Sequence, residues 1–172
     1  MKKNIIIYGL IAGIVVSFLM LFSISLNIHD FNISVFIGYA SMLIAFSLVF
    51  VGIRNYRDKY NEGVISFGKA FKTGIMIVLI ASTIYAVSWL IAYFFFIPDY
   101  LEKYTAHILD ELKAGGASQV EIDKEAKEMA DFTRMYQNPF FNALMTYLEI
   151  LPVGLIVTLI SSFILKRKTA KN

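Results

Sequence analysis

Glu149 is the side chain in this sequence that asks most of its surroundings. It is the one acidic or basic residue between Phe140 and Leu165, and a charge ten residues into an apolar helix is costly on every membrane scale. Such a side chain is expected to face neighbouring helices and to be protonated or hold a partner. The other long apolar stretches contain no Lys or Arg, so hydroxyls are the expected partners. Ser82, Thr83, Tyr85 and Ser88 come first, then Tyr39, Ser41 and Ser47. Away from water and cations the neutral carboxylic acid is the expected form at pH 7. Pro152 adds to the local chemistry, because it has no N–H to offer the Leu148 carbonyl. An acid beside such a carbonyl is the arrangement by which broken transporter helices hold protons or cations. The simpler reading is a kinked span that the acid ties to its neighbour.

Other chemistry finds less support. Gly63-x-x-x-x-Gly68-Lys69-Ala70 has the glycine and lysine spacing of a phosphate-binding loop. It lacks the hydroxyl that should follow the lysine, and no strand pattern precedes it. His29 with Asp30 and the distant His107 are too few for a metal site. With no cysteine, disulfides, thiolate ligands and a cysteine nucleophile are excluded. No nucleophile elbow, histidine cluster or paired intramembrane carboxylate is present, so no enzymatic activity, cofactor or metal is expected.

These residues sit on elements that the composition makes plain. Of 172 residues 58% are hydrophobic and 17% charged, against about 25% charged in a soluble domain. Residues 5–28, 31–53 and 73–97 hold no charge and 140–165 hold only Glu149. About 20 apolar residues in a helix cross a bilayer, and in lipid the backbone must bond within its own segment. The expectation is an all-α fold: a four-transmembrane-helix bundle in one integral membrane domain over 1–172. Gly9, Gly13 and Ser17, and again Gly154, Thr158 and Ser162, recur every fourth residue as helix-packing seams, within the chain or across a dimer. The start, Met1-Lys2-Lys3, imitates a secretory signal, but its apolar run is too long for one.

Between the third and fourth spans, 98–139 reads as an amphipathic helical hairpin. Asp99 and Glu102, then Ser118 and Glu121, have capping-box spacing. Leu101, Tyr104, Ile108 and Leu112, and Ile122, Ala126, Met129, Thr133 and Tyr136, recur at helical intervals. Gly115-Gly116 separates the two helices and Asn138-Pro139 ends the second. Tyr56 to Gly74 reads as a short interfacial helix leading into the third span, with Phe67, Ala70, Phe71 and Gly74 on one face and Ser66 as its cap. Tyr8, Tyr39, Trp89, Tyr93 and Tyr100 are interfacial aromatics.

Lysine and arginine set the orientation. Eleven of sixteen lie at 2–3, 54–72 and 166–171; the other five share 98–139 with nine acids. Both termini are therefore expected in the cytoplasm and the hairpin outside. The isoelectric point near 9.0 then reflects loops facing anionic lipid, not nucleic acid.

Gly38-Tyr-Ala-Ser-Met-Leu-Ile-Ala-Phe-Ser47, Val51-Gly-Ile-Arg-Asn-Tyr-Arg57 and the segment Gly63, Ser66, Phe67, Gly68, Ala70, Phe71, Lys72, Gly74 carry a resemblance. With Pro152-Val-Gly154 and Lys166-Arg-Lys168, they make the chain similar to a family of small bacterial four-helix membrane proteins, a domain of unknown function. The resemblance covers essentially the whole chain and implies the four-span layout and a bacterial inner membrane. It brings no activity or catalytic residue. The expected function is a non-enzymatic accessory or structural membrane component that packs with itself or with a membrane protein partner. The alternative is a small oligomeric proton- or ion-coupled transporter working at Glu149.

Overall fold

The computed structural model describes residues 2–26 and 31–167, the side chains of Phe31 and Asn32 excepted. The described residues form six helices: α1 (Lys2–Ser25), α2 (Phe31–Tyr60), α3 (Phe67–Phe95), α4 (Tyr100–Ala114), α5 (Gln119–Tyr136) and α6 (Pro139–Leu165). Four of them, α1, α2, α3 and α6, are long and apolar enough to cross a membrane. Each is apolar all the way round, as suits a helix with protein on one side and lipid on the other. Phe36 on α2 and Ile14 on α1, 73% and 61% exposed, would be anomalous on a soluble surface and belong against acyl chains.

The chain divides into two compact units, Met1–Ser88 with Tyr147–Asn172, and Trp89–Thr146, the divisions falling within α3 and α6. In the first unit the core is built from Val16, Met42, Phe46, Val49, Ile53, Ile77, Val78 and Ile150. Small residues let the backbones meet. A Cβ added at Gly9 would lie 2.7 Å from Ile80 Cβ, and one at Gly13 2.9 Å from Ile84 Cβ, so α1 lies directly on α3. Gly74 of α3 abuts Thr158, and Gly154 of α6 abuts Val78 and Phe46. Both four-residue seams therefore lie within the chain. Buried Asn4 donates from Nδ2 to the Gly52 carbonyl at 2.9 Å and ties the start of α1 to α2.

No separate helix occupies 56–74. Its beginning is the last turn of α2 and its end the first turns of α3, because each helix continues to the charged residues that finish it. Glu62 (φ 52°) and Gly63 (φ 76°) turn the chain between them. Ile65 then pairs with Arg167 through two backbone hydrogen bonds, 3.1 and 2.9 Å. Ser66 Oγ accepts from the Lys69 amide at 3.4 Å and caps α3.

In the second unit, α4 and α5 place Leu101, Ile108, Leu112, Ile122, Met129 and Tyr136 on buried or half-buried faces. Gly115 closes α4, Gly116 takes φ 78°, and the Ala117 amide reaches back to the Leu112 carbonyl, a Schellman-like end. Ser118 and Glu121 complete both halves of a capping box. The first capping box does not form. Asp99 has φ −88°, ψ 6° and makes no side-chain cap bond, since its carboxylate instead holds Lys103 Nζ at 2.7 Å. That ammonium keeps the Asp99 carboxyl below its usual range. An aromatic cluster joins four helices here: Trp89 Nε1 donates to Tyr136 Oη at 2.9 Å, with Tyr93, Tyr100, Phe132 and Phe141 tilted or edge-on around them.

Candidate functional site

The residues expected to meet around Glu149 come from two helices of the first unit. On α3, Ser82 is fully buried and its Oγ has no hydrogen-bond partner among the described residues. Thr83 donates to the Leu79 carbonyl at 2.8 Å, and its Oγ1 lies 2.7 Å from Tyr147 Oη. Tyr85 is buried and Ser88 half-buried. On α2, Ser41 is buried, Tyr39 is exposed, and Ser47 donates to the Ile44 carbonyl. Among the described residues, none of these side chains bonds to Glu149.

The reason is angular. On α6 the side in contact with other helices carries Ile150, Gly154, Thr158 and Ser162, all buried. At 3.6 residues per turn, Glu149 lies about 140° round the helix from Gly154. It is exposed, between Leu148 and the exposed Pro152. The expectation that this acid turns toward neighbouring helices is thus corrected: Glu149 is exposed on the side of α6 away from the packed seam. The signal that could have shown this was in the sequence, because the small-residue seam Gly154, Thr158, Ser162 marks one face and Glu149 occupies the opposite one.

Glu149 makes no hydrogen bond or ion pair among the described residues. It lies only about 4–5 Å along the axis from the middle of α6, at 1.5 Å per residue. A charged acid at such a depth costs about 2.5–3.5 kcal/mol even on the lenient insertion scale. Pro152 shares its exposed side, so the Leu148 carbonyl, with no amide at 152 to bond, faces the same way. Glu149 and this carbonyl form one polar spot on an otherwise apolar ridge that continues through Ile156 and Ile160, 56% and 54% exposed.

The second notable place lies at one end of the first unit. There the Ile65–Arg167 pairing, the Asn4–Gly52 bond and a 3.4 Å contact from Arg57 Nη1 to the Leu165 carbonyl gather three basic stretches. Lys69, the lysine of the glycine-spaced loop, donates to Asn61 Oδ1 at 2.6 Å and lies over the Tyr56 ring. Asn61 in turn donates to the Val64 carbonyl. The segment Gly63, Ser66, Phe67, Gly68, Phe71, Gly74 thus has a structural account at most positions. Gly63 takes the left-handed turn, Ser66 caps, Phe67 packs 4.6 Å from Phe163, and Gly74 admits α6. Gly68 has nothing within 4 Å of an added Cβ, and packing gives it no role. The Asn61–Lys69, Asn4–Gly52 and Trp89–Tyr136 bonds were not anticipated; each joins residues whose pairing has no local sequence pattern. His29 and Asp30, with Lys168 and Lys171, lie outside the described residues. Among the described residues no three His, Cys, Asp or Glu side chains gather as a metal site.

The chain matches the family DUF4199, described as a protein of unknown function, over residues 7–167. No curated protein and no solved structure matches it. With nearly all of its length covered, the chain belongs to that family.

Proposed function

We propose that this DUF4199 member is a non-enzymatic accessory or structural component of a bacterial inner membrane, crossing it four times and working by assembly with other membrane helices. Glu149 carries this reading. A carboxyl near the middle of a membrane helix, on its exposed side and without a partner among the described residues, has to be covered by another helix. Both termini are cytoplasmic in this proposal, and 98–139 lies outside. The gathering of the basic stretches at one end of the first unit supports that orientation under the positive-inside rule. Single cysteines placed at Asn61 and Gln119 of the cysteine-free chain test it: only Gln119→Cys should react with an impermeant reagent in whole cells. Reaction at Asn61→Cys would invert the topology.

Native mass spectrometry of protein extracted gently from its own membrane tests the assembly. The expected result is an oligomer or a complex of fixed ratio; a monomer alone would sink the reading. A second reading, an oligomeric proton- or ion-coupled transporter, draws on one observation, that Glu149 and the Pro152 interruption share an exposed face. It predicts a flux in proteoliposomes that Glu149→Gln abolishes while the protein still assembles. The accessory reading predicts no flux from the unaltered chain.

A further inference from the structure

We infer that the exposed ridge of α6 is a two-fold interface between copies of this chain, with Glu149 of one protomer hydrogen-bonded to Glu149 of its partner. The inference rests on the assembly reading above and identifies what covers the acid.

The geometry of a bilayer restricts what can meet this side chain. Two copies inserted with the same topology can be related by a two-fold axis along the membrane normal, and such an interface brings the same patch of each copy together. Their α6 helices then run parallel, and every residue meets its counterpart at equal depth. The acid of one copy therefore finds the acid of the other, near the helix middle in both.

The chemistry is self-complementary at that depth. A protonated carboxyl supplies one O–H donor and keeps acceptor capacity, so two of them satisfy each other with a pair of O–H···O bonds. The Leu148 carbonyl, left without a proline N–H to bond, provides a further acceptor on the same side of each helix. No lysine or arginine lies in the uncharged stretches 5–28, 31–53 and 73–97, so a second copy brings no intramembrane cation and the contact is a hydrogen bond, not an ion pair. Below the acid, Ile156 and Ile160 lie within about 20° of Glu149 around the helix. Both are exposed, and they extend the contact toward Phe163. The small-residue seams leave the ridge free for this purpose, because Gly9, Gly13 and Gly154 are already filled by contacts within the chain.

Disulfide trapping in native membranes tests the inference directly. In the cysteine-free chain, Ile156→Cys or Ile160→Cys should give a covalent homodimer on mild oxidation. Ile44→Cys on α2 and Ile14→Cys on α1, equally exposed, should not. Adding Glu149→Leu should weaken trapping by roughly three- to twentyfold, the span measured for one hydrogen-bonded side-chain pair between helices in a bilayer. Glu149→Gln, whose amide also donates and accepts, should keep most of it. Trapping that ignores Glu149→Leu, or that is strongest at Ile44→Cys, would overturn the interface. Loss of trapping with Glu149→Gln as severe as with leucine would overturn the self-complementary bond and point to a cationic partner. A covalent product with a different protein would overturn the homodimer yet leave the assembly reading standing. No product at any position, with a monomer by native mass spectrometry, would remove both. Unchanged helical content and monomer yield of the Glu149→Leu protein separate loss of association from loss of fold.

Discussion

Gly154→Ala is a sharp test of how the first unit is held together. The added Cβ would lie 2.4 Å from Val78 Cγ1, 3.0 Å from Val78 Cγ2 and 3.2 Å from Phe46 Cζ. Carbon atoms pack at about 3.5–4.0 Å, so the nearest contact is short by more than 1 Å. Val78 and Phe46 are both fully buried, and relief requires α6 to move off α3 or Val78 to leave its rotamer. Overpacking of this kind costs about 1–3 kcal/mol. In a chain of this size 1 kcal/mol shifts Tm by roughly 2–4 °C, so a Tm lower by about 4–8 °C is expected for a cost near the middle of that range. The assay is thermal unfolding in mild detergent, with Gly38→Ala as control. Gly38 has nothing within 4 Å of an added Cβ, and alanine there should leave Tm unchanged or raise it. Val78→Ala removes both clashing methyls, so the double variant should recover most of what the single Gly154→Ala loses beyond the cost of Val78→Ala alone. If Gly154→Ala melts with the unaltered protein, or Val78→Ala brings no recovery, the close approach of α6 to α3 is wrong.

Gly63 at φ 76° should tolerate alanine poorly, with a loss of about 1–2 kcal/mol in the same melting assay, and asparagine better. Trp89→Phe removes the donor to Tyr136 Oη. About 1 kcal/mol of local stability should go, seen as faster amide exchange at the end of α5 while the core of the first unit is unchanged. The backbone amide and hydroxyl of Ser118 hold the Glu121 carboxyl below its usual value near 4.5. The stability from this contact is therefore complete above that value and is lost as pH falls through the lowered folded one. Amide protection in the first turn of α5 should decline over that acidic range. Ser118→Ala or Glu121→Gln should remove the decline; a decline unchanged in both would place its origin elsewhere.

Much of this architecture follows from local chemistry and could be read along the chain. Three uncharged runs longer than 20 residues, and a fourth interrupted only by Glu149, leave a backbone no option in lipid but to form helices, so four membrane-length helices were legible, and so was the hairpin with its Gly115-Gly116 break and Ser118 cap. The Asp99–Glu102 spacing was equally suggestive, yet Lys103 one turn on competes for the same carboxylate and takes it. Long-range partners had no signature. Nothing near Asn4, Ile65 or Trp89 in sequence names Gly52, Arg167 or Tyr136. The face presented by α6 was the decisive uncertainty. A helix apolar on every side has no preferred inner face by composition, so burial of apolar area cannot orient it in a membrane. Close packing does so instead: Gly154, Thr158 and Ser162 let α6 settle against Val78, Phe46 and Gly74, and that contact, a tertiary one, turns Glu149 outward.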